Sequence, residues 1–351
     1  KTFLIEYVPN LTFNQKREIA REHLRMLMEN SEYRNLINNL PNNWWDRDQD
    51  GFMIARKIQL YVEYQIAPQA TLPCNELSKF QTFGQMWQDV NMHQASQAVM
   101  NRIYNLENTY PAFANNGLYV QDINSAFGGI VNCDFFPVRI VNYPIVNGVQ
   151  MNHESLLEYF RKNMNSFISP TVDVSFSPYN FGGLDDSPLW NQDKANALGA
   201  IVHIHMVDDG AVVLSGYSMT QSSNKFTFST LKTPYLSDGL HPVSGNRRFG
   251  VYVNSNGEST FYTMGVDRIT SIAGTTGSGI KDIFSSSGLE DADALWRNVQ
   301  SNMIQFINAN GGSATLYGLT PEIIARTNWE AVKSFLKGEI TFEQLKQQSG
   351  C

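Results

Sequence analysis

Apolar and polar residues alternate most regularly across residues 199–268, and this period of two predicts a β-sheet around which the rest of the chain is arranged. Side chains alternate across a strand, so Ala200, Val202, Ile204 and Met206 share one face, read as the core side. Ile201, His203, His205 and Val207 share the other. Asp209-Gly210 fits a two-residue hairpin turn, which sets His205 opposite Leu214 and His203 opposite Gly216. Residues 225–231 put Phe226 and Phe228 on one face and Thr227 and Ser229 on the other. After a connection over residues 232–246, a second hairpin through Asn254-Ser255-Asn256-Gly257 returns the chain to Arg268.

Upstream, a strand is expected over residues 135–146, closed by Asn147-Gly148, then a helix over 153–167 carrying Leu156, Leu157, Phe160 and Met164. A strand over 171–177 and a loop over 180–196 follow. The first hundred residues read as helical. A capping box, Thr12-Phe13-Asn14-Gln15, opens a helix reaching about residue 29, and Phe83, Met86, Trp87 and Val90 recur at helical spacing, as do Ala95, Val99, Ile103 and Leu106. At the other end, Leu295, Trp296, Val299, Met303, Phe306 and Ile307 mark a helix stopped by Gly311-Gly312. Thr320-Pro321-Glu322 is read as the start of another, Asn328 of a third, and Thr341-Phe342-Glu343-Gln344 as the cap of a fourth. The fold class is therefore α+β, a mainly antiparallel central sheet flanked by N-terminal and C-terminal helices. Residues 1–117 form the mainly helical region, 118–272 the β-rich region, and 273–351 a linker with helices, three parts that one integrated domain also accommodates.

Composition changes this picture in two ways. Apolar residues at 42% supply ample core, while charged residues at 17% fall below the roughly 25% of a typical globular protein, with Asn, Gln, Ser and Thr supplying the polarity. That balance suits an exported or cell-surface protein. The first residue is Lys, so removal of an upstream segment is expected. A net charge of −7 argues against a general nucleic-acid-binding surface, and no apolar run is long enough for a transmembrane helix. Among the three cysteines, a Cys74–Cys133 disulfide and a set of unpaired thiols both fit. Asn10-Leu11-Thr12 is a glycosylation sequon.

Candidate chemistry concentrates in the β-rich region. His203 and His205, two apart on a strand, point the same way and can converge on a divalent metal, with His241 or His153 as a third ligand. Asp46, Asp48 and Asp50 before Gly51 have the spacing of half a calcium loop, yet position twelve is Lys57, so other ligands would have to complete it. The long connection ends in His241, Ser244, Asn246, Arg247 and Arg248, the best candidate for a ligand-binding site. Its guanidiniums suit an acidic ligand or an internal partner among Asp208, Asp238 and Asp267. Ser244 and His241 resemble part of a hydrolytic triad without its sequence context, and the glycines of residues 274–281 resemble a phosphate loop whose lysine is displaced. The expected function is that of an exported non-catalytic binding or effector protein engaging a carbohydrate or protein partner. A metal-dependent hydrolase built on His203 and His205 is the alternative.

Overall fold

The computed structural model describes residue 34 and residues 72–114, 117–126, 129–170, 172–205, 210–234, 240–270, 286–318 and 321–351. Outside them lie the capping box at Thr12, the sequon at Asn10, Asp46, Asp48 and Asp50, Met206 to Asp209, Asp238 and the glycine-rich residues 274–281.

The architecture is α+β, built on one large antiparallel sheet. Its main path runs β13 (Ser313–Leu316), β2 (Ile130–Asn142), β12 (Ser259–Ile269), β11 (Val243–Val253), β10 (Ser223–Lys232), β9 (Gly210–Met219), β8 (Ile201–His205) and β5 (Ser175–Pro178). β1 (Tyr119–Val120) also pairs with β10, and β14 (Ile323–Asn328) with β2. Small hairpins join β3 (Ile145–Val146) to β4 (Val149–Gln150) and β6 (Asn180–Phe181) to β7 (Leu184–Asp185). The Asn147-Gly148 turn is where the sequence places it, with both residues at positive φ, 52° and 78°, as a type I′ turn requires.

Both faces of the sheet are covered. On one, called here the cavity face, Phe136, Val138, Phe226, Phe228, Phe249, Val251 and Phe261 pack beneath α4 (His153–Lys162) and α6 (Ser286–Ala309). On the other, the helical face, Val131, Cys133, Phe135, Met264 and Val266 meet α1 (Cys74–Gln81), α2 (Gly84–Asn91), α7 (Trp329–Leu336) and α8 (Phe342–Gln348), while Ala211 and Val213 meet α3 (Gln97–Thr109). α5 (Ser187–Trp190) is a single turn whose Trp190 joins the cavity-face core. Leu295, Trp296, Val299, Met303 and Ile307 of α6 recur at helical spacing and are all buried, which lays one stripe of this long helix along the sheet. It ends at Gly311, φ 74°, where the Gly312 amide donates back to the Ile307 carbonyl. Capping boxes begin α4 at Asn152 and α8 at Thr341.

Four expectations need correction. No helix follows Pro321-Glu322, Thr320 itself lying outside the described residues: residues 323–328 form β14, with Ala325 and Thr327 buried on one face and Ile324 and Arg326 on the other, because the edge of β2 offers a ladder to pair with. The hairpin of β8 and β9 pairs His203 with Ala211 and Ile204 with Gly210, five residues away from the register that a tight Asp209-Gly210 turn would impose. His203 therefore does not face Gly216, and on this side of β8 Ile201 and His203 are buried, Ile201 in the cluster with Val99, Ile103 and Val213. The helix expected over 153–167 stops at Lys162 and finishes as a 3₁₀ turn, Met164–Phe167. Finally, Cys74 is bonded to Cys351, and Cys133 is a buried thiol in the middle of β2. The bridge ties the start of α1 to the end of the chain beyond α8, two helices already packed together on the helical face.

Candidate functional site

Strand β11 distributes the residues of the sequence-predicted loop site to opposite sides of the sheet. Val243, Gly245, Arg247 and Phe249 turn to the cavity face, and Ser244, Asn246 and Arg248 point towards the helices. On the helical side every one of these groups is used internally. Ser244 Oγ meets Thr270 Oγ1 at 2.8 Å and accepts from Gln121 Nε2. Asn246 donates to the carbonyls of Val90 and His93 and accepts from Ser229 Oγ. Arg248 donates to the Asp89 carbonyl at 3.0 Å and to Thr227 Oγ1. Asn246 and Arg248 join the sheet to α2, and Ser244 ties β11 to Gln121 and Thr270.

On the opposite side, between the sheet and the first turns of α6, lies a partly open cavity of about 140 Å³. Phe176, Ile204, Val212, Phe228, Phe249, Leu295 and Trp296 make its walls apolar, and Asn132, Arg247, Asp267 and His241 supply polar groups. Of the sequence-predicted ligand-binding residues, it gathers His241, Asn246 and Arg247 but not Ser244 or Arg248.

The polar end is a connected network. Arg247 reaches from β11 across β12 to β2, where Nη1 and Nη2 donate to the two carboxylate oxygens of Asp134 at 2.8 and 2.6 Å. The path crosses Gly265, and a Cβ there would sit 2.7 Å from Cζ of Arg247. Glycine at this point is what lets the guanidinium lie flat on the sheet. The other side of the guanidinium lies 4.2 Å from the ring centroid of Trp296, so the cation is held between α6 and the sheet. Asn132 donates to Asp134 at 2.9 Å and to Asp267 at 3.4 Å, and its amide oxygen accepts from Arg326, which pairs with Asp293 of α6 at 2.7 Å. Burial, then the neighbouring Asp134 charge, push the Asp267 carboxyl up to about 7. Sequence reading had proposed Asp267, Asp208 or Asp238 for the arginines. The partner of Arg247 is instead Asp134, which stands just before the predicted strand over 135–146 and to which the sequence assigns no role.

His241 packs at the opposite rim. Its Nδ1 lies 2.9 Å from the Val243 carbonyl, and its ring rests against Gly210, where a Cβ would come within 2.9 Å of Nε2. Burial lowers it to about 4, so it is neutral at physiological pH. Gly210 is the partner of Ile204, which places His241 on the cavity face, whereas His203 and His205 project from β8 to the other side. Those two rings lie 4.1 Å apart, and His205 Nε2 is bonded to Ser177 at 2.8 Å. The structure therefore brings His203 and His205 together and keeps His241 away from them. Among the described residues, no group of three or more His, Cys, Asp or Glu is placed to hold a metal ion. No described helix is long and apolar enough to cross a membrane.

No family model and no curated protein matches this chain. Among solved structures, three crystals of ginseng major latex-like protein 151 from Panax ginseng are similar over 50% of this chain and 98–99% of theirs, at 12% identity and a TM-score of 0.25. Likeness at that level leaves the functional reading to the cavity.

Proposed function

We propose that this protein is a non-catalytic binding protein whose cavity between the sheet and α6 takes up a small, largely apolar molecule. The observation that carries this reading is the cavity itself, about 140 Å³ with walls of Phe, Trp, Leu, Ile and Val. Apolar cavities of about 150 Å³ accept a benzene-sized molecule, and pockets with apolar walls and a few polar groups at one end are the usual form of small-molecule sites. A carbohydrate, which presents hydroxyls on most of its surface, would leave those hydroxyls unpaired against these walls. The hydrolase alternative draws less support, because His241 lies across the sheet from His203 and His205.

The test uses toluene, followed by calorimetry or by Trp296 fluorescence, with wild type and an Ala292→Trp variant. Ala292 lines the cavity from α6, so the indole would fill the space without breaking the helix. Saturable one-to-one binding, weakened at least tenfold in the folded Ala292→Trp variant, is expected. No binding to wild type, or equal binding to both proteins, would overturn the proposal.

A further inference from the structure

The network at the polar end of the cavity is unbalanced. Asp134, Asp267 and Asp293 are three carboxylates facing the guanidiniums of Arg247 and Arg326, and a third guanidinium, Arg297, 4.0 Å from Asp293, is offset by its own partner Glu322, so the fully ionised cluster carries one excess negative charge. The two cations are already committed. Arg247 grips both oxygens of Asp134 and is covered by Trp296, and Arg326 is drawn away to Asp293 and Asn132. Asp267 is the carboxylate left over. Among the described residues it forms no ion pair within 4.0 Å, its one hydrogen bond is the long contact from Asn132, and it lines the cavity.

An anionic ligand would find no available guanidinium and a repelling carboxylate. A neutral apolar ligand would leave Asp267 without a partner, a costly arrangement in a low-dielectric site. A cation at the same place would correct both the charge and the missing hydrogen bonds.

Resting on the cavity-binding reading above, we propose that the ligand is an organic amine, an apolar body with one protonated nitrogen that docks on the Asp267 carboxylate. The ammonium donates to Asp267, and its hydrocarbon or aromatic part lies against Phe176, Phe228, Phe249 and Trp296. Charged and titratable groups around Asp267 are Asp134 on β2, Arg247 on β11, Arg326 on β14, Asp293 on α6 and His241 at the entrance to β11. His241, held near 4 by burial, stays neutral, and the Asp267 carboxyl, raised to about 7, changes charge across neutrality. Only its ionised form pairs with the ammonium. Affinity for the amine therefore rises as pH increases from 6 to 8, while the amine is still protonated.

Three ligands of one shape separate the possibilities: benzylamine, benzyl alcohol and benzoate, titrated calorimetrically into the wild-type protein and into Asp267→Asn. The expected order at pH 8 is benzylamine at least tenfold tighter than benzyl alcohol, with benzoate weakest. Benzylamine affinity should increase about tenfold between pH 6 and 8. In Asp267→Asn the preference and the pH dependence both disappear, while toluene still binds. Equal affinity for amine and alcohol, or a preference for benzoate, in a wild-type protein that does bind toluene would overturn the amine assignment and leave the apolar-cavity reading intact. Failure of wild type to bind toluene would remove that reading instead. The wild-type series decides the question even if the variant does not fold.

Discussion

The two faces of the sheet are built from the same strands and treat their polar residues in opposite ways. Arg247 and Arg248 are neighbours in sequence. Arg248, on the helical face, is enclosed against α2 and donates to a backbone carbonyl and a hydroxyl. Arg247, on the cavity face, anchors a charged network beside a cavity. On the helical face Ser215, Ser229, Asn246 and His93 form a closed chain of hydrogen bonds, and the buried atoms there without a partner among the described residues, Trp87 Nε1 and Asn91 Oδ1, are neutral. The cavity face leaves a carboxylate with one long hydrogen bond and space in front of it. A carboxylate short of hydrogen bonds with open space in front of it marks where a ligand is to be sought.

The strongest way to break the contrast is Arg247→Ala. It leaves Asp134, fully buried, without its two-pronged partner, and a loss of about 3–5 kcal/mol in denaturant unfolding is expected. Cys351→Ser, which opens the bridge closing the helical face, should cost about 2–4 kcal/mol and leave toluene binding unchanged in the folded protein. Arg248→Ala removes hydrogen bonds to neutral partners and should cost about 1–3 kcal/mol, again without effect on the cavity. An effect of Arg248→Ala on ligand affinity larger than that of Asp267→Asn would erase the distinction between the faces.

Acid provides a smaller probe. Burial, with Arg248 and Lys225 nearby, lowers His93 to about 4, so the folded protein keeps this ring neutral where the unfolded chain would protonate it. Its contribution is fully present above about 6.5 and is lost as pH falls from there towards 4. A His93→Gln variant should accordingly lose less stability than wild type between pH 6.5 and 4.5, as read by urea unfolding.

Much of this fold was legible because local chemistry and tertiary structure agree. The Asn147-Gly148 turn, the Thr341 cap, the α6 stripe and the alternation in β10 all mean in the structure what they mean in the sequence. Misreadings arose where distant packing decides. Thr320-Pro321-Glu322 has the form of a helix start, but the residues after it find the edge of β2. Alternation in β8 puts Ile201 opposite the face read as the core side, yet α3 and its surroundings bury it in a second cluster. Cys74 and Cys351 meet only because α1 and α8 pack on the same face. The candidate site was half legible: His241 and Arg247 stood out, but Trp296 comes from a helix read as core and Asp134 stands just before the predicted strand over 135–146. Asp267 was noticed only as a possible arginine partner, since nothing local reveals that Asp134 has taken that role.

Asp267 is kept at a cost to the stability of the fold. Its raised pKa means that its favourable contribution is present below about 4 and is lost as pH rises towards 7. The most direct test is the ligand-free stability of Asp267→Asn relative to wild type at pH 5 and at pH 8. The variant should be the more stable protein at pH 8, by about 2 kcal/mol, with a smaller advantage at pH 5. A variant less stable than wild type at pH 8 would show that the Asp267 charge is already satisfied within the fold, and would contradict the central claim.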